Sequence, residues 1–155
     1  SLTCTRRRGK MPSENTKTVL CIPGRNRRCA IEFPYIKEIC KDMVMSPIPC
    51  LPAYFAGVCN YKGTIVPIAY LEEPGLPNEG EEQKNIIVIL QYQKYSFGIL
   101  TDQEPFLTEA TPDNQIKGPE KSETGLWMEK EYYMCQDGLY FLLDLEGTVK
   151  KMVQK

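Results

Sequence analysis

Histidine is absent from the 155-residue chain. The side chain that ordinarily titrates nearest neutrality is therefore missing, and with it the commonest general base. The seven cysteines, at positions 4, 21, 29, 40, 50, 59 and 135, include no C-x-x-C pair. A zinc site would have to gather thiolates from separate strands without a local clip, and a nucleophilic cysteine would need an activator other than histidine. No glycine-rich loop of the P-loop or dinucleotide type occurs. Carboxylates such as Glu129 and Glu131 alternate along a strand and read as a solvated face. Apolar runs such as Ile86–Leu90 and Leu139–Leu143 are far too short to cross a bilayer, and no apolar stretch follows the basic start as it would in a signal peptide. The chain therefore reads as a non-enzyme without direct membrane insertion.

What is present suits a small globular protein. The apolar fraction is 42% and the charged fraction 25%, enough to bury a core without metal or disulfide staples. Twelve prolines and eleven glycines suit many short elements joined by turns. Several cysteines sit inside apolar runs, as in Val19-Leu20-Cys21-Ile22 and Gly57-Val58-Cys59, the pattern of reduced core thiols in a cytoplasmic protein. Net charge is −1 but uneven: residues 1–28 hold eight basic and one acidic residue, +7, and the remainder eleven and nineteen, −8. The acidic body argues against nucleic acid as the main partner. The stretch Arg6-Arg7-Arg8-Gly9-Lys10 reads as a solvated leader, with contact to phosphate or an anionic surface as the alternative.

Taken in order, residues 1–17 form a disordered basic leader. Thr18–Pro23 and Arg28–Phe33 read as a hairpin around Gly24-Arg25-Asn26. Ile36, Ile39 and Cys40 recur with the spacing of a single helical turn behind Pro34. Residues 72–84 are an acidic, Pro/Gly-containing connector. Ile86–Gln91 is a β-branched run buried on both faces, and Tyr95–Thr101 returns beside it. Pro105–Glu123 reads as a long loop that begins with a strand at Phe106–Thr108. Leu126–Cys135 and Leu139–Asp144 pair through a Gln136-Asp137-Gly138 turn. Residues 146–155 form a tail or short helix. Nine or ten short strands with little helix point to an all-β barrel or sandwich. No internal sequence repeat is evident.

The stretch Ser46–Leu71 is the most distinctive. Three prolines, Pro47, Pro49 and Pro52, stiffen its approach, and Asn60-Tyr61-Lys62-Gly63 reverses the chain. The spacing Pro49, Pro52, Gly57, Asn60, Lys62-Gly63, Pro67, Leu71 resembles the signature of CheW-like coupling domains. Ile36-Lys37-Glu38-Ile39, Gly98–Asp102 and the closing Leu142-Leu143-Asp144 resemble further family motifs. Two positions depart from the pattern: Lys62 replaces the usual Arg, and Tyr70 the usual Asp. The resemblance covers residues 18–145.

That resemblance implies two adjacent small SH3-like β-barrel lobes with a groove between them, and an adaptor that needs no cofactor. Its partners would be the cytoplasmic helical hairpin of a chemoreceptor, held in the groove, and the regulatory domain of the histidine kinase CheA. The partner-binding residues it implies are Ile36, Glu38, Gly57, Val58, Asn60, Lys62 and Leu100. Glu38 and Lys62 are expected within ion-pair distance near the groove. Ile36, Gly57, Val58 and Leu100 also have a plain reading as core or packing residues, and Asp102 and Asp144 one as ligands of turn amides. Two alternatives stand beside the adaptor. One is a small barrel that binds nucleic acid through the leader, against which the aromatics Tyr92, Tyr95, Tyr132 and Tyr133 lie in the acidic half rather than among basic residues. The other is a thiol-based redox sensor.

Overall fold

The structure, a computed structural model, describes residues 16–24, 26–72, 85–117, 126–135 and 138–153. Most of the basic leader, nearly all of the acidic connector, and Gln136 and Asp137 of the last expected turn lie outside these residues. Eleven strands are found among them: β1 (Lys17–Pro23), β2 (Arg28–Glu32), β3 (Ile36–Lys41), β4 (Phe55–Tyr61), β5 (Thr64–Tyr70), β6 (Ile86–Tyr92), β7 (Tyr95–Thr101), β8 (Phe106–Ala110), β9 (Gln115–Ile116), β10 (Glu129–Cys135) and β11 (Gly138–Leu143). A single α-helix, α1 (Leu145–Val153), follows. The Asp144 carboxylate accepts the Gly147 N–H at 3.1 Å and caps that helix.

The strands form two curled sheets, one per lobe. The first has the order β8-β1-β2-β11-β10-β9 and the second β3-β6-β7-β5-β4. Read edge to edge, both run antiparallel, antiparallel, parallel, antiparallel through their first five strands. The chain paths differ. The second lobe is built from one contiguous span, β3 to β7, whereas the first is assembled from β1 and β2 together with β8 to β11. The lobes are thus topological counterparts with shifted starting points, a relation that leaves no repeat in the sequence.

The core explains why so many strands are apolar on both faces. Along β6, Val88 and Leu90 enter a layer shared by the two sheets, while Ile87 and Ile89 fill the interior of the second lobe. Along β1, Leu20 and Ile22 join the shared layer, while Val19 and Cys21 fill the first lobe. β11 divides likewise, with Phe141 and Leu143 in the shared layer and Tyr140 and Leu142 inside the first lobe. Successive strand side chains point to opposite faces, so a strand between two apolar compartments must be apolar throughout.

Three local expectations are corrected. The helical spacing at Ile36, Ile39 and Cys40 belongs to an edge strand. Only Phe33–Tyr35 makes a tight 3-10 turn, and β3 then pairs with β6 from Ile36 to Lys41 with a bulge between Ile36 and Glu38. Ladder hydrogen bonds outweigh one helical turn here, and Ile39 is left largely exposed. The expected long loop holds a second 3-10 turn (Pro112–Asn114) and the two-residue β9, too short to show a period. Leu126 and Trp127 precede β10 rather than opening it, because both turn into the shared layer.

Thiol placement fits a reduced core. Six cysteines lie among the described residues and none is in a disulfide; Cys21, Cys29 and Cys59 are buried and Cys50 is exposed. Burial pushes the Cys29 thiol far up, and burial with the neighbouring Glu38 carboxylate pushes Cys40 up to about 11. Neither is poised as a thiolate at neutral pH. Brief alkylation of the native protein, mapped by mass spectrometry, is expected to label Cys50 well before Cys21, Cys29 or Cys59. Equal labelling of all four before denaturation would contradict this packing.

Candidate partner-binding site

The reversal between β4 and β5 is tighter than its four-residue motif suggests. Tyr61 and Thr64 sit directly opposite, leaving Lys62 and Gly63 as the whole loop, at φ 50° and 86°. Positive φ at both positions is the type I′ geometry that matches strand twist. The Asn60 side-chain oxygen accepts the Gly63 N–H at 2.9 Å and holds the loop closed. Lys62 is thereby placed at the tip of the hairpin.

This tip meets the opposite edge of the same sheet. β3 and β4 are the two outer strands of the second lobe. The Tyr61 hydroxyl donates to Glu38 Oε1 at 2.9 Å, and Lys62 Nζ lies 3.5 Å from the same oxygen. The Cys40 thiol donates to Glu38 Oε2 at 3.5 Å, and the Lys62 ammonium stands 5.3 Å from the Tyr61 ring centroid. Glu38, Tyr61 and Lys62 therefore clasp the lobe across its open seam. The ion pair is a point-charge contact, because Lys lacks the bidentate fork of Arg. Its exposure leaves it little to add to stability.

The Tyr61 hydroxyl, then the Cys40 thiol and the Lys62 charge, hold the Glu38 carboxyl below the usual carboxylate range. Burial and the Glu38 hydrogen bond push Tyr61 up, while contact with Tyr61 and Glu38 pushes Lys62 up. A depressed carboxylate pKa means the clasp's contribution is fully present above the unfolded Glu38 pKa. It is lost as pH falls through the lower folded value. Tyr61→Phe is expected to raise the Glu38 pKa in a side-chain carboxyl NMR titration, and by more than Lys62→Ala does. The reverse ranking would show that charge, not the hydroxyl, dominates.

Gly57 answers a different constraint. At φ 150°, a Cβ there would lie 2.6 Å from the Ser46 carbonyl oxygen. Ser46 and Val58 exchange two backbone hydrogen bonds, of 2.8 and 3.0 Å, which moor the proline-rich approach to β4. Val58 is half-buried opposite Pro67.

The seven expected residues do not form one patch. Glu38, Asn60 and Lys62 gather at the clasp. Gly57 and Val58 lie further along β4 beside Ser46. Leu100 packs against the interior of the second lobe, whereas Ile36, opposite Leu90 in β6, packs against the shared layer. The same layer also carries half-buried Tyr35, Tyr54, Phe55, Tyr92 and Tyr95, with Tyr35 and Tyr92 rings 6.0 Å apart. Apart from Ile36, sequence reasoning assigned these side chains no role in partner binding, and it did not find the bond from Tyr61 to Glu38. Adjacency to Lys62 was the one available hint for Tyr61, and strand pairing alone shows where its hydroxyl points.

Two of the four tyrosines weighed against the nucleic-acid reading are committed to the core. Tyr132 and Tyr133 are buried, with their hydroxyls donating to Glu129 and Glu131. Burial and Glu129 push Tyr132 up to about 12. Tyr92 and Tyr95 pack on the shared layer. No helix among the described residues is long and apolar enough to cross a membrane.

Comparison with known proteins agrees with this architecture. Residues 18–151 match the family described as CheW-like domain. The chain is 30% identical over 122 residues to the "Chemotaxis protein CheW" of Treponema pallidum (strain Nichols), covering 75% of this chain and 71% of that protein. Its fold is similar to the crystal structure of the scaffolding protein TtCheW from Thermoanaerobacter tengcongensis. That likeness has a TM-score of 0.68 at 17% identity, over 87% of this chain and 90% of the other. The family match takes in both lobes and nearly all of the closing helix. The chain belongs to the CheW-like domain family.

Proposed function

We propose that this chain is a non-enzymatic adaptor of chemotaxis signalling, acting in the cytoplasm to couple a chemoreceptor's helical tip to the histidine kinase CheA. The single observation that carries this reading is the pair of lobes on one shared core, edged by half-buried apolar and aromatic side chains that include Ile36. An amphipathic helix offers the complementary surface, an apolar stripe flanked by groups that can bond tyrosine hydroxyls. The receptor hairpin occupies the groove at that edge. The clasp of Glu38, Tyr61 and Lys62 orients the end of the second lobe, which contacts the kinase regulatory domain. Coupling is mechanical: the adaptor fixes the geometry in which a receptor change reaches the kinase, and no bond is altered. Tyr70 narrows the choice of partner if the carboxylate usual at that position helps recognition.

A pulldown with a receptor-tip fragment and a CheA regulatory domain tests the reading. The native chain is expected to retain both. Ile36→Asp is expected to lose the receptor fragment and keep the kinase domain, and Lys62→Ala to weaken the kinase domain. Retention of neither fragment by the native chain ends the proposal.

A further inference from the structure

We infer that Trp127 is a positioning residue that sets the angle between the two lobes, and so the width of the groove; the inference rests on the groove reading above. Trp127, the chain's single tryptophan, is 2% exposed. It belongs to the first lobe by sequence, just ahead of β10, yet its indole N–H donates at 2.8 Å to the Tyr70 carbonyl at the end of β5 in the second lobe. Its ring stands 6.2 Å from that of Phe97 on β7, also in the second lobe. On the first-lobe side, Arg27 donates to the Trp127 carbonyl at 3.2 Å, pairs with Glu129 at 3.3 Å, and lies 4.6 Å over the Phe141 ring. A second strut runs beside the first: the Asn26 N–H donates to Glu72 at 2.9 Å.

Apolar packing is non-directional and tolerates small rotations of one sheet on the other. A buried N–H aimed at a single carbonyl does not, because leaving either group unmade carries a desolvation penalty. Among these contacts the indole bond is the buried directional link from lobe to lobe, and Arg27 fixes the indole's own backbone within the first lobe. The acceptor is the backbone of Tyr70, so the link is independent of that position's departure from the family pattern.

The test uses the full chain. Trp127→Phe removes the donor and keeps an aromatic ring. Val19→Ala, inside the first lobe's own core, serves as a control of comparable instability. Three readouts are taken well below either melting temperature: receptor-tip affinity, the radius of gyration by X-ray scattering, and amide exchange at Asn26. Trp127→Phe is expected to weaken tip binding about fivefold, the ratio set by one lost hydrogen bond. It should also speed Asn26 exchange and enlarge the scattering radius, while Val19→Ala leaves all three near native. Trp127→Phe with native exchange and a native radius overturns the inference, whatever the tip does. If the native chain binds no tip while exchange and radius change as stated, the positioning stands and the groove reading falls.

Discussion

Trp127→Ala is expected to destabilise the protein by about 3–5 kcal/mol. The ring lies buried between the lobes against Phe97, and few rearrangements could refill the space. The change also strips the Tyr70 carbonyl of its donor. A domain of this size is stable by about 5–15 kcal/mol, so the loss is a large fraction of the total. The damage falls on the layer that joins the lobes rather than on either lobe's interior, so cooperativity should suffer as well. Urea unfolding followed by circular dichroism should show an earlier midpoint and a broader transition. A loss under about 1 kcal/mol would mean that the shared layer is not the principal core.

Gly57→Ala carries the second large effect. A methyl group there would press on a backbone carbonyl, which cannot rotate aside as a side chain can, and φ 150° is a region that L residues avoid. The expected cost is about 1–3 kcal/mol. Relief of the clash would break the paired hydrogen bonds of Ser46 and Val58 and release the proline-rich approach from β4. Amide exchange should therefore rise at Ser46 and Val58 while Ile87 to Ile89 stay protected. Unchanged exchange at Ser46 would show that the mooring does not depend on this glycine. Gly98 is a useful contrast. A Cβ there would meet the Ile68, Ile87 and Ile89 side chains, at 2.6 and 2.9 Å for the first two, inside the fully buried second-lobe core, so Gly98→Ala is expected to cost about 1–3 kcal/mol through overpacking rather than backbone strain.

Strands with strong local signals were legible in the sequence. The unbroken β-branched run of β6 and the alternation of β7 reflect burial between two compartments, and their bounds differ from the reading by a residue at most. The β4–β5 reversal was marked by Asn60 and Gly63, though not its two-residue length, which depends on the ladder. Where the reading failed, tertiary partners outweighed local pattern. β3 looked helical over Ile36–Cys40 because three apolar residues happened to fit that spacing. Trp127 looked like strand because nothing local reveals a distant carbonyl. The correspondence between the lobes was invisible, since strand order and orientation can repeat without any residue repeating. In the site, the carboxylate–lysine contact was anticipated from resemblance. The hydroxyl that does most to hold the Glu38 carboxyl down, that of Tyr61, was not.

The central claim is that the edge of the shared core is where a helical partner sits. Amide chemical-shift mapping during titration with a receptor-tip helical hairpin tests it most directly. The account predicts that the largest shifts cluster at Tyr35, Ile36, Tyr92 and Tyr95, at the edge of the shared core, and that Ile36→Asp abolishes them. Shifts confined to the outer strand β8, or absent at saturating hairpin, would contradict it.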